Sequence, residues 1–183
     1  CGNLRDYTWS YVFRRELLEK DSPQGVFDET VFLYEDAAFL QQFLRENEVR
    51  VRFLQRVLYR HRRAYGSLSR RPNVRNAQSG LSVVRFLSTL GAPSGLEAEW
   101  NAKLIMFLLG VYQISFGASG SHIRHEVRKE MRLVANSKSI AVLGLSERLK
   151  YLLWRIHLYR PFQVVYRSFA FIRQGKRKTR LNA

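Results

Sequence analysis

Acidic residues are scarce in this sequence, and where they are missing matters more than how few there are. Against 31 Lys and Arg stand 15 Asp and Glu, a formal net charge of +16. None falls between Glu48 and Glu97, and none follows Glu147. The chain therefore has two separate basic zones, which suit anionic partners such as phosphate groups, a lipid surface or nucleic acid. Cysteine is confined to Cys1. A single thiol excludes an internal disulfide framework and a Cys-based metal site, and is compatible with a reducing compartment without proving one. The four His, at 61, 122, 125 and 157, form no convincing ligand set; only His122 and His125 are close, at i, i+3. No secretory signal, repeat or low-complexity tract is visible. The longest uncharged run, Leu104 to Ser121, is broken by Gln113 and by Ser and Gly. It falls short of the roughly 20 apolar residues a membrane span needs and reads as a buried helix.

What is present is enough for a folded core: 183 residues, 46% of them hydrophobic. Residues 7 to 13 alternate like a short strand, and Arg14 to Glu19 like a helical turn before the loop at Asp21 to Gly25. A helix over residues 35 to 46 precedes two strand-like stretches, Val49 to Phe53 and Val57 to Tyr59. After a loop from Ala64 to about Pro72 the pattern turns helical. Val74 to Leu90, Leu96 to Phe116, His122 to Ala135 and Leu145 to Phe171 are the expected segments, with stops at Gly91 to Gly95 and Gly117 to Gly120 and an interruption at Pro161. The expected boundary lies near residue 72, dividing residues 1–72 from a helical, basic region at 73–183.

Chemistry concentrates at Tyr34-Glu35-Asp36-Ala37-Ala38-Phe39. At about 100° per residue, Phe39, Leu40, Phe43 and Leu44 share a stripe; Asp36 points near its middle and Glu35 toward its edge. A carboxylate aimed at an apolar face costs several kcal/mol unless it is hydrogen-bonded, paired or facing a cleft. Two readings stand: a general base in a substrate cleft, or an acidic helix start that meets the positive end of the dipole.

Three stretches in order bear on that choice. Trp9 leads to Phe13-Arg14-Arg15-Glu16-Leu17-Leu18; Tyr34-Glu35-Asp36 follows with Phe39; then come Leu58-Tyr59-Arg60-His61-Arg62-Arg63 and Ser67-Leu68-Ser69. This order resembles the second half of the catalytic domain of family 2 glycosyltransferases, over roughly residues 7 to 70. The resemblance implies an α/β fold class, the C-terminal half of a GT-A nucleotide-diphospho-sugar transferase domain followed by a mainly α-helical C-terminal region. It implies an inverting transferase acting in polysaccharide or glycan biosynthesis, with Asp36 as general base and Glu35 beside it. Trp9 would be an acceptor-sugar wall, its plain alternative being a core aromatic. His61, Arg62, Arg63 and Ser67 would meet the donor diphosphate, the register between Arg62 and Arg63 staying open. A divalent cation, Mg or Mn, would accompany the donor, a UDP-sugar by default, and the acceptor would be a glycan or a lipid-linked species. The family holds that cation with an Asp-x-Asp motif, and none occurs here. The chain is accordingly expected to be a fragment lacking its nucleotide-binding front half and inactive as given; no metal ligand is assigned to its own residues.

The basic zones have readings of their own. Guanidinium and hydroxyl donors from Arg56 to Arg71 suit phosphate oxygens, or form a solvated face. The segment after Leu145 mixes aromatic and aliphatic residues with cations and ends in Lys176-Arg177-Lys178-Thr179-Arg180. It suits an anionic membrane surface, which would make the protein cytoplasmic and peripheral at the inner face of the cell membrane; otherwise it is a packed helix with a solvated end. Competing with enzymatic function is a basic nucleic-acid-binding or membrane-surface module, given a pI near 10.6. No helix-turn-helix, zinc-finger or aromatic-rich RNA-binding signature supports nucleic acid as the partner. A helical scaffold would leave the first 70 residues unexplained.

Overall fold

The computed structural model describes residues 13, 16, 18, 31–46, 73–116 and 120–162. Six helices follow one another there: α1 Glu35–Glu46, α2 Val74–Leu90, α3 Glu97–Ile114, α4 Ser121–Val134, α5 Ser137–Val142 and α6 Leu145–Arg155. Of the described residues 79% are helical and none is in a strand, so the expected α/β class is corrected to a helical one. The reason lies in periodicity. The stretches that suggested strands, at residues 7–13, 49–53 and 57–59, lie outside the described residues except for Phe13, which is in no strand, whereas the apolar runs that are described repeat with helical spacing.

α3 is the centre. It is apolar on almost every side, with Trp100, Leu104, Ile105, Leu108, Val111 and Tyr112 among its buried residues, and α2, α4, α5 and α6 pack around it. A helix hydrophobic all round must be enclosed by others, which is what its neighbours do. α2 turns Ala77, Leu81, Val84 and Leu87 inward. At Gly80 the surroundings come so close that a Cβ would lie 2.6 Å from Leu33 Cδ2 and 3.0 Å from Val111 Cγ2. α4 is strongly two-faced: Ile123, Val127, Met131 and Val134 at i, i+4, i+8 and i+11 are buried, and the charged residues face away. Leu33 joins the same cluster from ahead of α1.

Arginines tie the helix ends together. Arg45 on α1 donates to the Leu90 carbonyl at 2.7 Å and to that of Gly91, at the C-terminus of α2. Arg124 on α4 donates at 2.7 Å to the Ser115 carbonyl that ends α3. Arg148 on α6 donates at 2.7 Å to Ala141 and at 3.3 Å to Leu143, at the end of α5. The last carbonyls of a helix have no partner within it and carry its negative pole, so a cation from the next helix satisfies both needs. Arg85 of α2 bridges α4 instead, at 2.5 Å to Glu126 and 2.7 Å to Glu130. Beyond α6 the backbone reverses at His157, which adopts a positive φ of 62°, and Leu158 N–H reaches back to Leu153 O at 2.8 Å. This is the six-to-one bond of a Schellman motif, formed here with His at the left-handed position usually given to Gly.

Candidate functional site

Glu35 and Asp36 form the first turn of α1, and both are half-buried. Asp36 shares the inward face with Leu40 at i+4 and Phe43 at i+7; those two are buried, while Asp36 at the open end of the helix is not fully covered. The expected placement of Asp36 on the apolar stripe therefore holds, as an accessible carboxylate rather than an enclosed one.

Three consecutive residues fix where the pair points. The Phe32 backbone N–H donates to Ser79 Oγ at 2.8 Å, and the Arg75 guanidinium lies 4.0 Å over the Phe32 ring. Leu33 is only 7% exposed. Tyr34 stacks on Phe107 with ring centroids 4.4 Å apart, and its hydroxyl donates to the Phe107 carbonyl at 3.2 Å. Tyr34 sits at a φ of 65°, and its carbonyl accepts from the N–H groups of Ala37 and Ala38 at 3.0 Å each. The left-handed turn at Tyr34 thus starts the helix and places the carboxylates at its positive, N-terminal end. At the other end, Arg45 holds α1 to α2 and lies 5.4 Å over Trp100. Phe13 meets Phe39 and Phe43 edge-on at 5.6 and 5.4 Å.

The other expected site residues, Trp9, His61, Arg62, Arg63 and Ser67, lie outside the described residues. So does the chain after Phe162, with its basic end. The divalent cation implied by the resemblance finds no holder in what is described: no three His, Cys, Asp or Glu side chains gather among the described residues.

A second feature is a small cleft of about 120 Å³ lined by Met106, Gly110, Gln113, Glu147, Lys150 and Tyr159, among others. Glu147 accepts from Ser146 Oγ at 2.6 Å and approaches Lys150 at 3.6 Å. The Ser146 hydroxyl chiefly, with Lys150 adding to it, holds the Glu147 carboxyl below the usual carboxylate range. Tyr159 is buried and donates to Gln113 Oε1 at 3.4 Å. Pockets for ligands of cofactor size run to roughly 300 Å³ and more, so this cleft suits water rather than a nucleotide sugar. No helix among the described residues is long and apolar enough to cross a membrane.

No family model, curated protein or solved structure matches the chain.

Sequence reasoning missed the three arginines at helix ends and α5 altogether. A signal for α5 was present: Asn136 and Ser139 form a reciprocal capping box, Ser139 N–H to Asn136 Oδ1 at 2.9 Å and Asn136 N–H to Ser139 Oγ at 3.0 Å. Nothing in the sequence identified the carbonyls that Arg45, Arg124 and Arg148 would find.

Proposed function

We propose that the chain belongs to an inverting glycosyltransferase and supplies its general base, Asp36. What supports this reading is the order of motifs from Trp9 to Ser69, together with one observation from the fold. Asp36 lies on the inward face of α1, half-exposed, at the head of a helix anchored at both ends. A catalytic base needs both access and fixed direction, and a solvated surface carboxylate has only the first.

In this reading the acceptor hydroxyl attacks the anomeric carbon of the donor sugar from the face opposite the diphosphate. The new C–O bond forms as the bond to the diphosphate oxygen breaks. The hydroxyl proton passes to an Asp36 carboxylate oxygen, a transfer typically worth about 100- to 10,000-fold in rate. Glu35 orients its neighbour or contacts the acceptor. His61, Arg62, Arg63 and Ser67 would offset charge growing on the departing diphosphate, and Trp9 would stack on an acceptor sugar. The donor would be a UDP-sugar by default, and the acceptor a glycan or a lipid-linked species. Peripheral attachment at the inner face of a cell membrane would suit the latter.

The test is made on the full-length protein with a panel of nucleotide sugars, following release of nucleoside diphosphate and reading the anomeric configuration of the transferred sugar by proton NMR. Release with inversion is the expected result. No release from any donor, or retained configuration, would overturn the proposal.

A further inference from the structure

α6 buries only Tyr151. On its opposite face Leu145, Leu149, Leu152 and Ile156 are 86, 48, 46 and 58% exposed. Their spacing of i, i+4, i+7 and i+11 draws them into a single stripe about 16 Å long at 1.5 Å rise per residue. Leu158, just past the turn at His157, is 50% exposed, and Val142, the last residue of α5, is 46% exposed. Single apolar residues at a surface are ordinary, but an aligned stripe of four along one helix calls for an occupant.

Charge selects that occupant. From Arg155 to the end of the chain there are eight Lys and Arg and no Asp or Glu. Arg155, at i−1 to Ile156, is exposed beside the stripe. A second copy of this chain would bring a second net charge of +16 against the first. Nucleic acid would satisfy the cations and leave the leucines in water. An anionic lipid surface satisfies both: the stripe enters the boundary between headgroups and acyl chains while the cations stay among the phosphates. The inner side of α6 is already committed, with Tyr151 stacked on Trp154 at 5.7 Å and Trp154 edge-on to Tyr112 of α3 at 6.4 Å. The helix is thus attached to the core by one face and free to dock by the other. We infer that α6 is a membrane-docking helix that holds this protein on anionic bilayers by the Leu145–Leu149–Leu152–Ile156 stripe, assisted by the cations that follow. This inference does not rest on glycosyl transfer and would survive its failure.

The experiment floats the 183-residue chain with phosphatidylcholine vesicles and with vesicles containing phosphatidylglycerol as well. At least tenfold tighter binding to the anionic vesicles is expected, weakening as salt is added. Leu149→Glu/Leu152→Glu should lower that affinity about tenfold or more, with helicity by circular dichroism unchanged because both positions are half in solvent. Should the double variant lose helicity, Leu145→Asp serves in its place, since an acid in the first turn of a helix is well tolerated. Equal binding to the two vesicle types, or binding undiminished in the folded stripe variants, would overturn the inference. So would a chain that binds duplex DNA and leaves vesicles alone.

Discussion

Asp36 illustrates what a sequence can and cannot say about a single residue. Its place on the stripe with Leu40 and Phe43 follows from helical geometry alone. Its partial exposure does not, because that depends on Phe32, Leu33 and Tyr34 fastening to Ser79, the core and Phe107, contacts that span 47 and 73 residues where they are hydrogen bonds. Arg45 is the sharper case. As one basic residue among 31 Lys and Arg it gave no hint of capping a helix 45 residues away. Removing it leaves the Leu90 and Gly91 carbonyls to water and releases the far end of α1. Arg45→Ala should therefore cost about 1 kcal/mol, the usual scale for a cation at a helix C-terminus. That corresponds to a fall in melting temperature of roughly 2–4 °C for a chain of this size. Arg45→Lys should recover part of it, as charge is kept and the two-pronged geometry lost. A scanning calorimetry trace unchanged in Arg45→Ala would show that α1 is held by its apolar face alone.

Helices with clear ends were legible. α2 runs from Val74 to Leu90 as the pattern predicts, because Asn73 accepts from Arg75 N–H at 2.9 Å at one end and Gly91 takes a φ of 71° at the other. α3, α4 and α6 likewise begin within two residues of expectation. α6 ends at Arg155, ahead of the interruption expected at Pro161, because the left-handed His157 turns the chain; a His gives no stop signal of the kind Gly gives. α5, six residues long, is too short to show a period at all. Between elements, charge pairing was invisible as well: Arg85 to Glu126 and Glu130 joins α2 to α4 across 41 and 45 residues. Hydrogen bonding from Arg85 is the main reason the Glu126 carboxyl lies below its ordinary range. A depressed carboxyl contributes stability that is present above its unfolded pKa and disappears as pH falls through the folded one. The α2–α4 contact should consequently weaken in acid, below the usual glutamate range. Glu126→Gln should flatten the acid side of a plot of melting temperature against pH; an acid limb as steep as that of the unmodified chain would place the responsible carboxyl elsewhere.

The whole molecule is basic for more than one reason. Arg45, Arg85, Arg124 and Arg148 work within the fold, as helix caps and a bridge, so net charge alone overstates what is offered to a partner. Among the described residues Lys129, Arg132, Lys138 and Arg155 are exposed and remain for that role, and composition could not separate the two uses. The helical class was half legible: the region after residue 72 was expected to be helical, and its described residues, 73–116 and 120–162, are mostly so, while the α/β expectation came from the resemblance and from strand-like stretches that lie almost wholly outside the described residues. The proposal of glycosyl transfer therefore rests on residue chemistry, with Asp36 at its centre. The most direct test compares Asp36→Asn with the unmodified full-length protein, measuring transfer rate and donor affinity together. The account predicts a rate lowered about 100- to 10,000-fold, with donor binding close to unchanged. Transfer at the original rate would contradict it.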